Sequence, residues 1–346
     1  MILNYKASIK DKLALVKSFS PPKVSNAAQL LGSFYLSRII KKPVHWGMPA
    51  SVAIEPTTSC NLRCPECPSG LRSFTRPTGM LDLNFFNKIL AEIHLYVAYL
   101  IFYFQGEPFL HPQFLEMISS ANQRGIYTAT STNAHHLKSE VARKTVESGL
   151  KRLIISIDGA TQNVYEKYRV GGQLNKVLEG TRNIVEWKRK LRSYSPYLIF
   201  QFLVLQHNEH QIQEVLKLAK KIGVDEVRLK TAQVYDFEHG NPLIPLNEKF
   251  SRYSKISEGS YVVKNKLLNR CWKLWHSCVI TWDGRVVPCC FDKDAHHIMG
   301  NLNKTCFRDI WRSEFYKSFR EKVFQSRSKI DICSNCSVGA NVWGSA

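Results

Sequence analysis

The chain has 346 residues, 44% of them hydrophobic, ten cysteines and a formal net charge of +20. It is long enough for an α/β barrel with additions. No apolar run approaches the ~18 residues needed to cross a bilayer, and Lys6, Lys10, Asp11, Lys12 and Lys17 interrupt the apolar positions of the N-terminus, a pattern unlike a secretory signal. Clustered cysteines in a chain of this size favour metal binding over disulfides, and with it a reducing cytoplasm. The basic surplus attracts anions such as nucleic acid, acidic lipid headgroups or phosphorylated and acidic substrates, or is simply a solvated basic surface. The basic residues are dispersed, with runs no longer than Lys188-Arg189-Lys190.

Residues 1–48 read as a helical N-terminal extension. Ile9, Leu13 and Val16 share helical spacing before Pro21-Pro22, and Leu30, Leu31, Phe34 and Ile39 do so before Pro43. Asp11 is its only acid, set against Lys6, Lys10, Lys12, Lys17, Lys23, Arg38, Lys41 and Lys42. Two readings stand: helices packed on the outside of the main domain, or an interfacial pair making peripheral contact with an anionic membrane or a carrier partner.

From about residue 49 to 230, strand-like and helix-like runs alternate. The strands are expected at Ser51–Ile54, Tyr99–Phe104, Ile126–Ser131, Leu153–Ile157, Tyr197–Leu205 and Glu226–Lys230. Helices are expected at Asp82–Tyr96, Pro112–Arg124, Ser139–Ser148, Leu174–Arg189 and Glu209–Ile222. Gly125, Gly149 and Gly223 fall where such helices would stop. Six β–α repeats predict an α/β fold, a partial (β/α)6 TIM-like barrel whose chemistry sits at the C-terminal strand ends. Residues 231–270 read as a linker and bridging helix. Residues 271–346 read as a small Cys-rich C-terminal auxiliary cluster domain that opens with a Thr281-Trp-Asp-Gly-Arg hairpin signal.

The loop after the first strand reads Cys60-Asn-Leu-Arg-Cys64-Pro-Glu-Cys67. Three thiolates on one short loop can hold three corners of a four-iron cluster. The next cysteine is Cys271, so the fourth iron is left open to another ligand. Zinc is the competing reading, but structural zinc prefers paired CxxC units or CxxC with histidines.

A CxxxCxxC loop after strand one of a β/α array resembles the radical S-adenosylmethionine (SAM) superfamily, and the resemblance covers roughly residues 50–230. It implies that Cys60, Cys64 and Cys67 hold a SAM-binding 4Fe–4S cluster, and that one electron from the cluster cleaves SAM to a 5′-deoxyadenosyl radical that abstracts a substrate hydrogen. Gln105-Gly106-Glu107-Pro108 resembles the family's Gly-Gly-Glu-Pro segment at the methionine amino group, with Gln105 in place of the first glycine. Ser131-Thr132-Asn133 resembles its Thr-Asn-Gly turn, with Ala134 in place of the glycine. Ser156 and Asp158 resemble its ribose-facing strand end. Arg169 stands where members often carry an arginine, and Leu205 is placed to pack on the adenine. Glu66 occupies a position that is often aromatic. His111, taken alone, reads as structural.

The C-terminal cysteines resemble a SPASM domain, the extension that carries auxiliary clusters in this family. Cys271, Gly284 and Cys289 match its opening and Cys333-Ser-Asn-Cys336 its next CxxC. Further cysteines would follow in a full domain, whereas this chain offers Val342. The resemblance therefore implies the shorter, twitch-type version, with Cys271, Cys289, Cys333 and Cys336 around one auxiliary 4Fe–4S cluster. Cys290 is an alternative ligand, but strand neighbours point to opposite faces and the spacing from Gly284 favours Cys289. Cys278 and Cys306 read as small buried hydrophobes.

The resemblance thus implies a radical SAM oxidoreductase that passes an electron to the auxiliary cluster and draws on a low-potential donor such as flavodoxin or ferredoxin. Its substrate would be a small molecule or peptide, with the net charge favouring an anionic sugar, lipid-linked compound or peptide. Two alternatives are a basic radical SAM enzyme acting on RNA, although the lysines lack interleaved aromatics, and a non-catalytic redox or sensor protein. No catalytic base is assigned.

Overall fold

The computed structural model describes residues 1–336. Six strands, β1 (Ser51–Ile54), β2 (Tyr99–Ile101), β3 (Tyr127–Thr132), β4 (Arg152–Ser156), β5 (Tyr197–Val204) and β6 (Glu226–Thr231), pair in chain order and all in parallel. The helices Leu83–Ile93, Phe114–Gln123, Ser139–Glu147, Leu174–Lys190 and Ile212–Ile222 join them. These elements fall where the alternating sequence pattern places them. A further helix, Gln162–Tyr168, follows β4. Alternate strand residues such as Val52, Leu100, Leu153, Phe200 and Phe202 are fully buried in one core with Phe86, Leu90, Met117, Val177 and Ile184 of the covering helices.

Residues 231–270 differ from the linker and bridging helix expected of them. They contain an antiparallel hairpin, β7 (Tyr253–Ser257) and β8 (Ser260–Val263). The hairpin signal is the alternating Tyr253, Lys255 and Tyr261, Val263 about Glu258-Gly259, with Gly259 in the left-handed region at φ +71. The charge-rich composition had masked it.

The Cys-rich segment extends the barrel sheet. β9 (Ser277–Ile280) lies parallel beside β1, with Ser51 opposite Ser277 and Ile54 opposite Ile280. β10 (Arg285–Val287) returns antiparallel, and β11 (Gly300–Asn301) completes a nine-stranded sheet. The Asp283-Gly284 turn joins β9 to β10, as its sequence predicts.

Helix α1 (Tyr5–Lys17) and helix α2 (Pro21–Ile40) form the N-terminal extension. Helix α1 closes the N-terminal end of the barrel. Ala7 packs on Ile154, Tyr197 and Ile199, which line the inner sheet face. Asp11 is buried and accepts hydrogen bonds from the Tyr127 hydroxyl and the Arg152 guanidinium. The acid faces inward, so the apolar stripe Tyr5, Ile9, Leu13 and Val16 faces outward, each residue more than half exposed. Ahead of the helix, Ile2 bridges to Glu226 at the edge of β6. Among the described residues, no helix is long and apolar enough to cross a membrane.

Removing Asp11 leaves the Arg152 guanidinium buried without its carboxylate. Asp11→Ala is expected to destabilise the fold by about 3 kcal/mol, whereas Leu13→Ser on the outward stripe should stay within about 0.5 kcal/mol. Urea unfolding of both variants checks the difference.

Candidate functional site

The C-terminal ends of β1 to β4 converge on a cavity of about 160 Å³. The thiols of Cys60, Cys64 and Cys67 form one wall, and Gly106, Glu107, Ser131, Thr132, Asn133, Ser156 and Arg169 form the rest, together with Tyr103, Phe104 and Tyr168. The cysteine loop is held by close backbone approach. A Cβ on Gly70 would stand 2.5 Å from the Cys64 nitrogen. Gly106 has φ +74, and a Cβ there would stand 2.2 Å from the Thr57 carbonyl oxygen. Only glycine meets both demands at Gly106. Its N–H donates to Ser69 Oγ at 2.8 Å, and the Glu107 N–H donates to the Ser59 carbonyl at 2.8 Å.

Glu107 is the polar centre of the site. One carboxylate oxygen accepts from Thr132 Oγ1 at 2.7 Å, and the other accepts from the Asn133 N–H at 2.7 Å. The Asn133 side chain donates to Asn61 Oδ1 in the cysteine loop at 2.8 Å. Burial pushes the Glu107 carboxyl up from its ordinary value, and these donors pull the other way. The oxygen bonded to Thr132 also accepts from the Phe109 N–H at 3.3 Å, so acceptor capacity is left on the oxygen bonded to Asn133.

Arg169 bridges the far side. Its guanidinium pairs with Asp158 and lies 3.6 Å from Cys64 Sγ. Burial raises the Cys64 thiol, and Arg169 opposes the shift. Burial likewise pushes the Cys60 thiol up to about 12.

Four of the expected contacts lie away from the cavity wall. Asp158 is fully buried and consumed by Arg169 and the Leu203 N–H, so it acts on the site through Arg169. Leu205 packs beneath the loop with Leu62, Cys64 and Tyr168. Pro108 begins a short 3-10 turn, and Gln105 lies with its Oε1 3.8 Å from Cys67 Sγ. Glu66 accepts from the Tyr235 N–H at 3.0 Å and so ties the loop to the segment after β6. His111 is buried and structural, with Nε2 2.7 Å from the Leu81 carbonyl. Sequence reasoning had passed over Tyr103, Phe104, Tyr168, Asn61 and Ser69. Asn61, inside the cysteine loop, was the one with a visible signal.

Cys271, Cys289, Cys333 and Cys336 line a second cavity, walled by Leu274, Pro288, Phe319, Val323 and Ile332. Arg327 is buried there and donates to Cys336 Sγ at 3.2 Å. Burial pushes the Cys333 thiol up to about 12. Cys290 is exposed, outside this wall, with its sulfur 3.8 Å from Lys273 Nζ. Cys278 is buried, as its sequence suggests, whereas Cys306 is exposed at the cap of the helix Phe307–Arg312, a correction to the buried position expected of it. The expectation built on Val342 lies outside the described residues.

Both thiol sets fit polynuclear clusters. Zinc draws its thiolates to ~2.3 Å from one point, and among the described residues no three His, Cys, Asp or Glu side chains converge on a single metal-ion position. Three thiols facing a polar cavity suit a cluster with one open iron, and four thiols around one cavity, with Lys273 and Arg327 beside them, suit a fully cysteine-held one.

A parallel barrel with three thiols at its strand ends and four more on an attached segment defines an iron–sulfur barrel protein. The family profile described as "Radical SAM superfamily" matches residues 54–219, and that of an "Iron-sulfur cluster-binding domain", SPASM, matches residues 271–337. The chain thus contains a radical SAM domain followed by a SPASM domain. These domains imply a SAM-binding 4Fe–4S cluster, SAM itself and auxiliary iron–sulfur ligation. The chain is 26% identical, over 82% of its length and 86% of the relative's, to the tungsten-containing aldehyde ferredoxin oxidoreductase cofactor-modifying protein of Pyrococcus furiosus. Its fold is similar to that of Streptococcus suis SuiB bound to S-adenosylmethionine, with a TM-score of 0.62 and 13% identity over 88% of this chain and 74% of that one. It is also similar to anSMEcpe with bound AdoMet, with a TM-score of 0.60 and 17% identity over 84% and 83%.

Gly106 and Gly171 both lie in the left-handed region, but a Cβ on Gly171 meets nothing within 4 Å. Gly171→Ala is expected to cost about 1 kcal/mol of backbone strain. Gly106→Ala should exceed that by several fold, because the cysteine loop must also move. Urea unfolding of the two variants measures the difference.

Proposed function

We propose that the protein is a radical SAM oxidoreductase acting on an anionic small molecule or peptide. The observation that carries this reading is the meeting of Cys60, Cys64 and Cys67 with Glu107, Asn133, Ser156 and Arg169 around one cavity. A 4Fe–4S cluster and SAM held there would supply hydrogen-atom abstraction from the substrate, and a cluster held by the second thiol set would supply a one-electron acceptor. Cys60, Cys64 and Cys67 hold the first cluster. Gly106 gives the ligand a bare backbone to approach, Glu107 offers a carboxylate to an ammonium group, and Ser131, Thr132, Asn133 and Ser156 supply hydroxyl and amide groups. Arg169 brings a cation to the same wall, set in place by Asp158. Cys271, Cys289, Cys333 and Cys336 hold the second cluster. The electron comes from a low-potential one-electron donor.

The inner sheet face supports an anionic substrate. Tyr103 lines the first cavity and lies within electrostatic reach of Lys273 and Cys290 beside the second. Burial holds the Lys230 ammonium below its ordinary value, and nearby Arg228, Lys273 and Arg252 push in the same direction. That surplus of positive charge, reduced by the Arg228–Glu226 pair, favours an anion.

The anaerobically reconstituted protein is expected to contain about eight irons per chain, two four-iron clusters, and to release 5′-deoxyadenosine from SAM under dithionite. The triple variant Cys60→Ala, Cys64→Ala, Cys67→Ala should retain about half that iron and release none. Absence of SAM cleavage by protein with a full iron complement would remove the reading.

Helix α1 supports peripheral association with an anionic membrane. Its outward Tyr5, Ile9, Leu13 and Val16 are flanked by Lys6, Lys12 and Lys17, and its single acid is buried beneath. Co-sedimentation with phosphatidylserine vesicles, weak with phosphatidylcholine and lost in Ile9→Ser, Leu13→Ser, Val16→Ser, is the expected result. Equal sedimentation of variant and parent would count against it.

A further inference from the structure

A cavity between the N-terminal extension and the helices of the SPASM segment lies at the opposite pole from the cysteine loop. It measures about 620 Å³ and sits between α2 with the following residues 43–47 and the helices Phe307–Arg312 and Glu314–Ser326. His45 and Trp275 precede β1 and β9, which places it at the N-terminal ends of those strands.

Its wall is cationic and aromatic. Arg312, Lys317 and Arg320 line it with Trp46, Trp311 and His45, and no carboxylate does. Lys317 is exposed and pairs with Glu314 at 3.4 Å. Arg320 is different. It is 3% exposed, and among the described residues no carboxylate pairs with it. Its guanidinium lies 4.7 Å from the ring centroids of Trp311 and Tyr316 and 5.8 Å from that of Trp275. Its Nε makes one long hydrogen bond, 3.5 Å to the Leu274 carbonyl, and its Nη2 has no partner. The Trp311 Nε1–H, also buried, has none either.

A buried guanidinium without a counter-charge is costly. Stacking on rings offsets part of that cost but supplies no counter-charge. His45 cannot serve as the counter-charge, because its Nε2 is 3.0 Å from the Trp275 carbonyl and its other nitrogen carries at most a lone pair. A guanidinium without a carboxylate, lining a cavity with Arg312 and Lys317, matches one chemistry, an oxyanion that accepts charge-assisted N–H bonds. Trp46 beside them suits an aromatic or otherwise flat body attached to that anion.

We propose that this cavity is a binding site for the oxyanion group, phosphate or carboxylate, of a small organic ligand, with the Arg320 guanidinium as its buried cation and Arg312 and Lys317 at its rim. A ligand there touches both the N-terminal extension and the helices of the SPASM segment, so binding fastens those two segments together. The site is separate from the cavity that holds Cys60, Cys64 and Cys67, and it stands whether or not the proposed reaction does.

The reconstituted full-length protein is titrated with inorganic phosphate, phenyl phosphate and benzoate at constant ionic strength set by chloride, with tryptophan fluorescence and the melting temperature as readouts. Saturable binding is expected, with phenyl phosphate tighter than inorganic phosphate by at least about tenfold, from stacking beside Trp46. Benzoate against phenyl phosphate decides between carboxylate and phosphate. Arg320→Met should weaken binding by at least about tenfold, and Lys322→Met, on the exposed face of the same helix, should not change it. If Arg320→Met does not fold, the double variant Arg312→Ala, Lys317→Ala replaces it and should weaken binding several fold. Linear, unsaturated titrations with all three probes overturn the proposal, as does binding unaffected by the Arg320→Met or the rim variant.

Discussion

The site depends on how closely the turn after β2 approaches the cysteine loop. Gly106 lies so near the Thr57 and Ser59 carbonyls that any side chain would enter them. Across that contact the Glu107 N–H bonds the loop backbone, while the Glu107 carboxylate bonds Thr132 and Asn133 at the end of β3. Asn133 then returns to Asn61 within the loop. Three strand ends and one loop thus share a closed circuit of hydrogen bonds around a buried carboxylate. Such a circuit orders a loop that has only one short helical turn of its own, Pro68–Leu71.

Buried ion pairs repeat this arrangement elsewhere on the sheet. Asp11 and Arg152 close the barrel floor, and Asp158 and Arg169 stand at its top. At the end of β1, Glu55 holds Arg76 in a bidentate pair at 2.6 and 2.8 Å, both side chains almost wholly buried. The neighbouring residues Thr75 and Arg76 are bonded in turn to Asp294 of the SPASM segment. Apolar residues would pack as stably in such places. The pairs instead fix which loop docks on which strand end, a matter of geometry more than of net stability.

Much of this was legible in the sequence, and the exceptions share a cause. Period and punctuation marked the six parallel strands, because both sheet faces are buried and their strands read as apolar runs. The cysteine spacings marked both thiol sets, because ligation is local on the first loop and ordered on the second segment. What the sequence could not show was direction. Helix α1 carries a clear apolar stripe, yet it points outward, because the decisive contact is a single acid meeting Arg152 and Tyr127, residues 141 and 116 positions away. Asp158 stands at a strand end as expected, but its carboxylate turns to Arg169 and Leu203. Leu205 reaches the loop from below. Each of these outcomes is set by a partner distant in sequence.

The pairing of β9 with β1 has a chemical consequence. The loop bearing Cys60, Cys64 and Cys67 leaves the C-terminal end of β1. Cys271 precedes β9, and Cys289 follows β10, which returns antiparallel to the other end of the sheet edge. The register Ser51 to Ser277 through Ile54 to Ile280 therefore fixes the second thiol set relative to the first by strand hydrogen bonds, where a flexible linker would leave their separation free. Electron transfer between two centres depends steeply on that separation. Fusing the SPASM segment to the barrel sheet makes the distance a property of the fold.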